Sequence, residues 1–569
     1  MDHAAGPASR SQVADLAGPQ TFPELLAATV QRCPDQMALV VADDSITYSE
    51  LDRRSARMAR SLLAAGVGKG TRLGLLAPDG ALWLTTFYAA LRIGALVTPI
   101  STLVAPPELA TILRTGDVQH LIGVRSFVRK DYADLLAAAF ADLPDQTPDL
   151  RLIGAPYLRT VWLDDTHGIS WARPLDDLLA AAYATDAPDG DLLQAVEREV
   201  APGDDAFVVF TSGSTASPKA VVHRQQSVAT QPAALAATFR ITGSDRLMPL
   251  LPAFWMGGIA YALQVLSVGA TLVYPRSPEL DDVLEAIEEH GVTCVIVWHM
   301  FAKLRAAAVE RGIDISSVRG LGAPTADEHG ERIPTRFRSN PLGMSETFSA
   351  HSAEPVDVRL PEDKVGAAGR AVNGIERRVV DLDSGEEVAP GAVGELQVRG
   401  GALMSGFYKV RREQVFTPDG YYPTGDLVRL DDDGYAHFVG RAGDMVKTSS
   451  ANVSRLEVEA AMNGLPDVDL SLVTGVPDDE RGEVVVAAVV PAAGTAPTED
   501  SLRAALKDRL SSYKIPRRIV FITHEDVPRT TTGKVQLFEL ARLVDETVIA
   551  GAADPRSAGG DALRSPAIR

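Results

Sequence analysis

From Thr21 onward, stretches with apolar residues at three- and four-residue spacing alternate with short runs in which nearly every residue is apolar. FPELLAATVQR (22–32) and YSELDRRSARMARSLLAAGV (48–67) show the first pattern and predict amphipathic helices, the second closed by Gly68. RLGLLA (72–77) shows the second pattern, which suits a strand covered on both faces. WLTTFYAALRIGA (83–95) predicts another helix, and LDDVLEAIEEHG (280–291) lies between the apolar runs TLVYP (271–275) and CVIVW (294–298). This alternation predicts an α/β fold with largely parallel sheets. Near residue 380 the texture changes: VVDLDSGEEVAPGAVGELQVRG (379–400) is short strands broken by turn residues, a β-rich module. After FVGRAGD (438–444) the chain restarts as a small α+β unit with LEVEAAMNGL (456–465), VVVAAVVP (484–491) and LRAALKDRLSSYK (502–514). The expected organisation is a flexible segment 1–21, a large domain 22–440, a small domain 441–545 and a disordered tail 546–569. Gly440 and Gly443 flank the junction, where their backbone freedom would permit a hinge.

With 569 residues, 46% of them hydrophobic, the chain exceeds what one core serves, which supports the division into units. The 55 basic and 75 acidic residues give a net charge of −20, which argues against a nucleic-acid partner and against general attraction to anionic lipid. Cys33 and Cys294 stand far apart and outside any metal-like cluster, so a reducing, cytoplasmic setting is expected. No apolar run reaches the length of a membrane span, and the first twenty residues lack the pattern of an export signal.

One loop carries chemistry of its own. TSGSTASPKAVVH (211–223) follows the apolar run AFVVF (206–210) with small residues, hydroxyls and the cation Lys219. Exposed backbone amides, close approach and positive charge are what a phosphate requires. Pro218 stands where the usual P-loop has glycine, so this is a different device.

Six further motifs appear with it in a fixed order: TYSEL (47–51) before it, then LGMSET (342–347), GELQVRG (394–400), YPTGDL (422–427), GRAGDMVK (440–447) and PRTTTGKVQ (528–536). The ordered set resembles the AMP-forming adenylating superfamily of acyl-CoA synthetases, peptide-synthetase adenylation domains and luciferases, from about residue 22 to 545. The resemblance implies ATP-dependent activation of a carboxylic acid to an acyl-adenylate with release of pyrophosphate, followed by transfer to the thiol of CoA. Thr211, Ser212, Gly213, Ser214, Thr215 and Lys219 would then form the phosphate loop, and Gly322, Ala323 and Pro324 would line the adenine. Ser345 would donate to the α-phosphate, and Glu346 would hold Mg²⁺, a hard cation suited to a carboxylate, phosphate oxygens and water. Asp426 and Arg441 would bind the ribose hydroxyls. Lys534 would stabilise the charge that develops at the α-phosphate and carboxylate during adenylation. Three positions depart from the family pattern: Ala216 and Ser450 replace glycines, and Leu342 replaces an aromatic residue that would stack on adenine for roughly 1 kcal/mol. Ser450 borders the expected pantetheine path.

The motif PAFWMGGIAY (252–261) has Trp255 where amino-acid-activating members carry an aspartate, and an ammonium buried there would lack a partner. Trp255, Met256, Gly258, Trp298, His299 and Gly343 are therefore expected to form an apolar pocket for a fatty or aryl acid. CoA leads as the acceptor because no carrier unit is fused to the chain. A free carrier protein or an amine remains an alternative acceptor, and a non-catalytic nucleotide-binding protein remains an alternative class.

Overall fold

The computed structural model describes residues 18–41, 44–184, 187–211, 218–296, 301–319, 325–326, 331–382, 384–441, 445–448, 452–478, 482–528, 535 and 540–544. Two sheets dominate the large unit. One has the strand order Cys294–Ile296, Arg246–Pro249, Thr271–Val273, Met37–Val41, Asp44–Thr47, parallel except for its last pair. The other runs Gly406–Phe407, Lys219–Arg224, Asp205–Thr211, Leu96–Pro99, Arg72–Leu76, His120–Gly123, Thr160–Leu163, Arg173–Pro174. Its inner strands are parallel, and the hairpin Asp205–Thr211/Lys219–Arg224 turns antiparallel at the motif edge. One core joins both sheets through the helix Ala81–Arg92, whose residues from Trp83 to Arg92 are all buried. A helix apolar on every side belongs in such a place. Trp83 stacks on Phe87 at 4.7 Å, and Phe87 meets Phe207 of the motif hairpin at 5.8 Å.

The β-rich module is an antiparallel sheet of Ile375–Val380, Val393–Gly400, Tyr422–Leu430 and Ala436–Arg441, with its own apolar cluster. Beyond it, the hairpin Met445–Lys447/Asn452–Ser454 places Val446 and Val453 in a separate core. That core belongs to a three-stranded sheet, Val468–Asp478, Gly482–Pro491 and Arg518–Phe521, with helices Arg455–Asn463 and Glu499–Leu506. The large N-terminal α/β unit and smaller C-terminal unit are thus the architecture that the pattern of residues predicts.

Local details differ from the sequence expectation. The helix Tyr48–Ala64 is closed by Gly66, at φ +80°, and not by Gly68; the chain reverses there because Ala65 still has φ −81° and the next residue must enter the left-handed region. Order begins before Phe22: Gln20 and Thr21 donate backbone N–H groups to Glu24, and Thr21 is buried. Residues 1–17 and the tail 546–569 lie outside the described residues. The stretch 502–514 is helical only as far as Leu506; Ser512–Lys514 forms a separate 3₁₀ turn beside Ser511, whose amide donates to the Glu108 carboxylate. Among the described residues no helix is long and apolar enough to cross a membrane.

Candidate active site

The motif hairpin pairs Thr211 with Lys219, which brings both ends of the candidate phosphate loop side by side. Ser212, Gly213, Ser214 and Thr215, between them, lie outside the described residues. The Lys219 ammonium stands 5.2 Å from the centroid of the Phe407 ring, and that ring meets Tyr422 edge-on at 6.4 Å. The Tyr422 hydroxyl donates to Glu346 Oε1 at 3.3 Å. Lys219 and Glu346, far apart in the chain, are therefore linked through two aromatic rings. The Glu346 backbone is fixed separately, its carbonyl accepting from Met404 N at 2.9 Å.

Asp426 lies on the same strand as Tyr422, four residues on, and is only 2% exposed. Thr424 holds its turn: the hydroxyl donates to the Leu396 carbonyl at 2.7 Å and accepts from Asp426 N at 3.1 Å. Gly425 between them has φ +73°, which favours glycine. Across the ladder Asp426 pairs in register with Arg441, so the two candidate ribose-binding residues sit on neighbouring strands.

His223 supplies a link that the motif reading does not assign. It is fully buried at the end of the motif hairpin, and its Nε2 lies 2.7 Å from the Ser345 carbonyl. A carbonyl only accepts, so Nε2 carries the proton. Burial pushes the imidazole down to about 4, which keeps it neutral, and Nδ1 is buried with no partner among the described residues. The ring packs between Phe207, at 5.1 Å, and Phe348, edge-on at 5.0 Å. Phe348 and Ser349 follow the SET turn with φ +64° and +141°, a strained pair of non-glycine residues. The strand that ends the candidate phosphate loop thus holds the Ser345–Glu346 turn directly.

On the acid side, Trp255 caps the helix Met256–Val268 from a half-buried position, edge-on to Phe254 at 5.3 Å. Met256 is buried in the main core. Gly258 packs so close to Pro252 that a Cβ would stand 2.2 Å from its carbonyl oxygen, and Gly343 meets the Ser349 carbonyl at the same distance. The helix after Trp255 packs on the strand Ser349–Ser352, which pairs with Leu342–Met344, so Gly343 belongs to the same neighbourhood. The loop before Trp255 is held by Asp79, whose carboxylate accepts from Ala253 N at 2.8 Å, and burial pushes that carboxyl up to about 7. Trp298, His299, Gly322, Ala323, Pro324, Gly443, Ser450, Lys534 and the Arg441 side chain lie outside the described residues.

A cleft of about 1040 Å³ opens between the two units. Lys130 on the large unit and Arg503, Lys507 and Arg517 on the small unit line it, against Asp131, Glu483 and Asp500. Tyr513, also in its wall, stands edge-on to Trp255 at 5.6 Å. One residue of the cleft wall therefore touches Trp255 of the candidate acid pocket.

The candidate phosphate-loop hairpin tied to an acidic turn, the buried carboxylate on the next sheet and the small unit docked near Trp255 are an arrangement suited to adenylate formation. The chain belongs to the AMP-binding enzyme family: residues 26–408 match that family's model, and residues 457–534 match the AMP-binding enzyme C-terminal domain. It is 28% identical to the putative acyl-CoA synthetase YngI of Bacillus subtilis over 91% of this chain and 96% of that one. It is 30% identical to a feruloyl-CoA synthase of an Amycolatopsis species, covering 90% and 96%. The structure of the amide bond synthetase McbA from Marinactinospora thermotolerans aligns with a TM-score of 0.75 at 28% identity, over 92% of this chain and 99% of that one. By family and relatives the chain falls in the class of AMP-forming acid–CoA ligases.

Proposed function

We propose that the enzyme activates a fatty or aryl carboxylic acid and passes the acyl group to the thiol of CoA. The observation that carries the acceptor is the cleft between the units, whose wall holds four cationic side chains beside three carboxylates and includes Tyr513, edge-on to Trp255. A free amine has no use for such a wall, whereas the phosphates of CoA do. The apolar acid is supported by Trp255, which offers no carboxylate for an ammonium, and by the aryl acid in the name of the feruloyl-CoA relative.

In the first half-reaction the carboxylate oxygen attacks the α-phosphorus of ATP and pyrophosphate leaves. In the second, the thiol attacks the acyl carbon, the thiol proton is lost and AMP leaves. Positioning and charge neutralisation dominate such phosphoryl displacement. Lys219, Ser345 and the phosphate loop would hold the triphosphate, Asp426 and Arg441 the ribose, and Lys534 the developing charge. Glu346 offers a single carboxylate, and among the described residues no group of three His, Cys, Asp or Glu could hold a metal. That donor set fits Mg²⁺, which keeps phosphate oxygens and water as its other ligands and would neutralise phosphate charge. The separately placed free thiols Cys33 and Cys294 support a reducing, cytoplasmic setting.

A panel of fatty, aryl and amino acids, assayed for AMP and pyrophosphate with CoA, with an amine or with no acceptor, tests this reading. Apolar acids with CoA are expected to give thioester. Faster turnover with the amine than with CoA would instead favour an amide synthetase, as in the named McbA structure.

A further inference from the structure

Glu108 stands in the first turn of the helix Pro106–Thr115, where an acid is expected: Oε2 accepts from Ala105 N at 3.0 Å and completes the helix start. A capping glutamate of that kind normally leaves its remaining lone pairs to water. Here the side chain is 10% exposed, and three further donors reach it, all from the small unit. They are Ser511 N at 3.2 Å, the Ser511 hydroxyl, and the Lys514 ammonium at 2.9 Å. Lys514 also donates to Glu457 at 2.7 Å, on the small unit's own helix Arg455–Asn463. Burial by itself would raise the Glu108 carboxyl, but Lys514 and Ser511 more than offset it and hold the group below its usual range.

A buried ion pair adds little net stability, because desolvation cancels most of the attraction, yet it strongly disfavours arrangements in which the partners fail to meet. The asymmetry of this cluster is what makes it suited to reversible docking. Glu457 travels with Lys514, whereas Glu108 belongs to the other unit. On separation Lys514 keeps a carboxylate, and Glu108 keeps its helix cap while its other oxygen returns to water. Neither charge is left buried and alone. The segment fixed by Glu108 also carries Tyr513, which meets Trp255, and Ile515 and Arg517, which wall the cleft.

We infer that Glu108 is a positioning residue for thiol transfer: it holds the small unit in the arrangement that builds the acceptor cleft against Trp255, and it has no part in adenylation. This rests on the cleft being the CoA site. The test uses full-length Glu108→Ala and Glu108→Gln, the glutamine keeping the helix cap and an acceptor for Ser511 while losing the charge. Hydrogen exchange at residues 511–514, pyrophosphate exchange with a substrate acid, and thioester formation from supplied acyl-AMP and CoA are measured on each. Glu108→Ala is expected to speed exchange at 511–514, to lower thioester formation by at least about tenfold, and to leave pyrophosphate exchange within about twofold, with Glu108→Gln between. Lys514→Met should give the same pattern, and combining it with Glu108→Ala should add little. Equal losses in both half-reactions, or unchanged thioester formation and unchanged exchange at 511–514, would overturn the role of Glu108. A parent enzyme that makes acyl-AMP but no thioester would overturn the reading of the cleft, and this role with it.

Discussion

Replacing His223 by alanine tests whether the phosphate-loop strand positions the SET turn. The substitution removes the donor 2.7 Å from the buried Ser345 carbonyl and empties the space between Phe207 and Phe348. An unsatisfied buried carbonyl costs about 1–3 kcal/mol, and the truncated ring adds a cavity. The turn carries Ser345 and Glu346 on a strained backbone, so part of that cost should be relieved by movement of the two groups expected at the triphosphate. If about 2 kcal/mol falls on the transition state, acid-dependent ATP–pyrophosphate exchange drops roughly thirtyfold. His223→Gln retains a neutral N–H donor and should recover most of the loss. The imidazole is already neutral above about pH 5, so the glutamine variant should keep the parental pH–rate profile between about pH 6 and 8. A folded His223→Ala enzyme with exchange within about twofold of the parent would refute the positioning argument.

Lys534→Ala should nearly abolish pyrophosphate exchange while ATP affinity stays within a few-fold and thioester formation from supplied acyl-AMP survives; loss of both half-reactions would give the lysine a structural role instead. Trp255→Ala should shift kcat/KM toward longer or bulkier acids, because the half-buried indole, edge-on to Tyr513 of the cleft wall, would wall the acid pocket; a fixed ratio with a lowered Tm would make Trp255 a core residue. Burial raises the Asp79 carboxyl to about 7, so the stability this group contributes is complete below its unfolded value near 4 and is lost as pH rises through about 7. Asp79→Asn keeps the acceptor for Ala253, and its Tm should exceed the parent's most at about pH 8, by less at about pH 5, and match it only below about pH 4; a shift that does not change with pH would count against a buried ionisable Asp79.

The layers of this fold were legible because helical and continuous apolar periods alternate cleanly up to residue 380, and the break in texture there marks the antiparallel module. Helix ends were less so: the closing glycine of Tyr48–Ala64 is Gly66 because of a single left-handed residue, which no periodicity encodes. The bond from the Ser511 amide to Glu108, some four hundred residues earlier, has no local mark either. The site was read from local motifs, and Lys219, Ser345, Glu346 and Asp426 lie on segments that do converge. What joins them was not readable. His223 ends the quoted phosphate-loop stretch, yet a histidine in a buried strand carries no local mark of bonding to a carbonyl 122 positions away. Tyr422 looks like a strand aromatic, Asp79 like a turn residue in APDG, and Lys514 like a helix cation. Each acquires its role only from a partner brought by the fold.

The most direct test of the whole account is one experiment on the parent enzyme. ATP, Mg²⁺, CoA and a panel of fatty and aryl acids are incubated with it, and AMP, pyrophosphate and thioester are quantified together. The account predicts that at least one acid gives the three products in equal amounts, and that omitting CoA leaves pyrophosphate exchange intact while thioester disappears. Absence of acid-dependent pyrophosphate exchange across the panel would contradict the assignment of the adenylation site, and acyl-AMP that CoA does not discharge would contradict the assignment of the cleft.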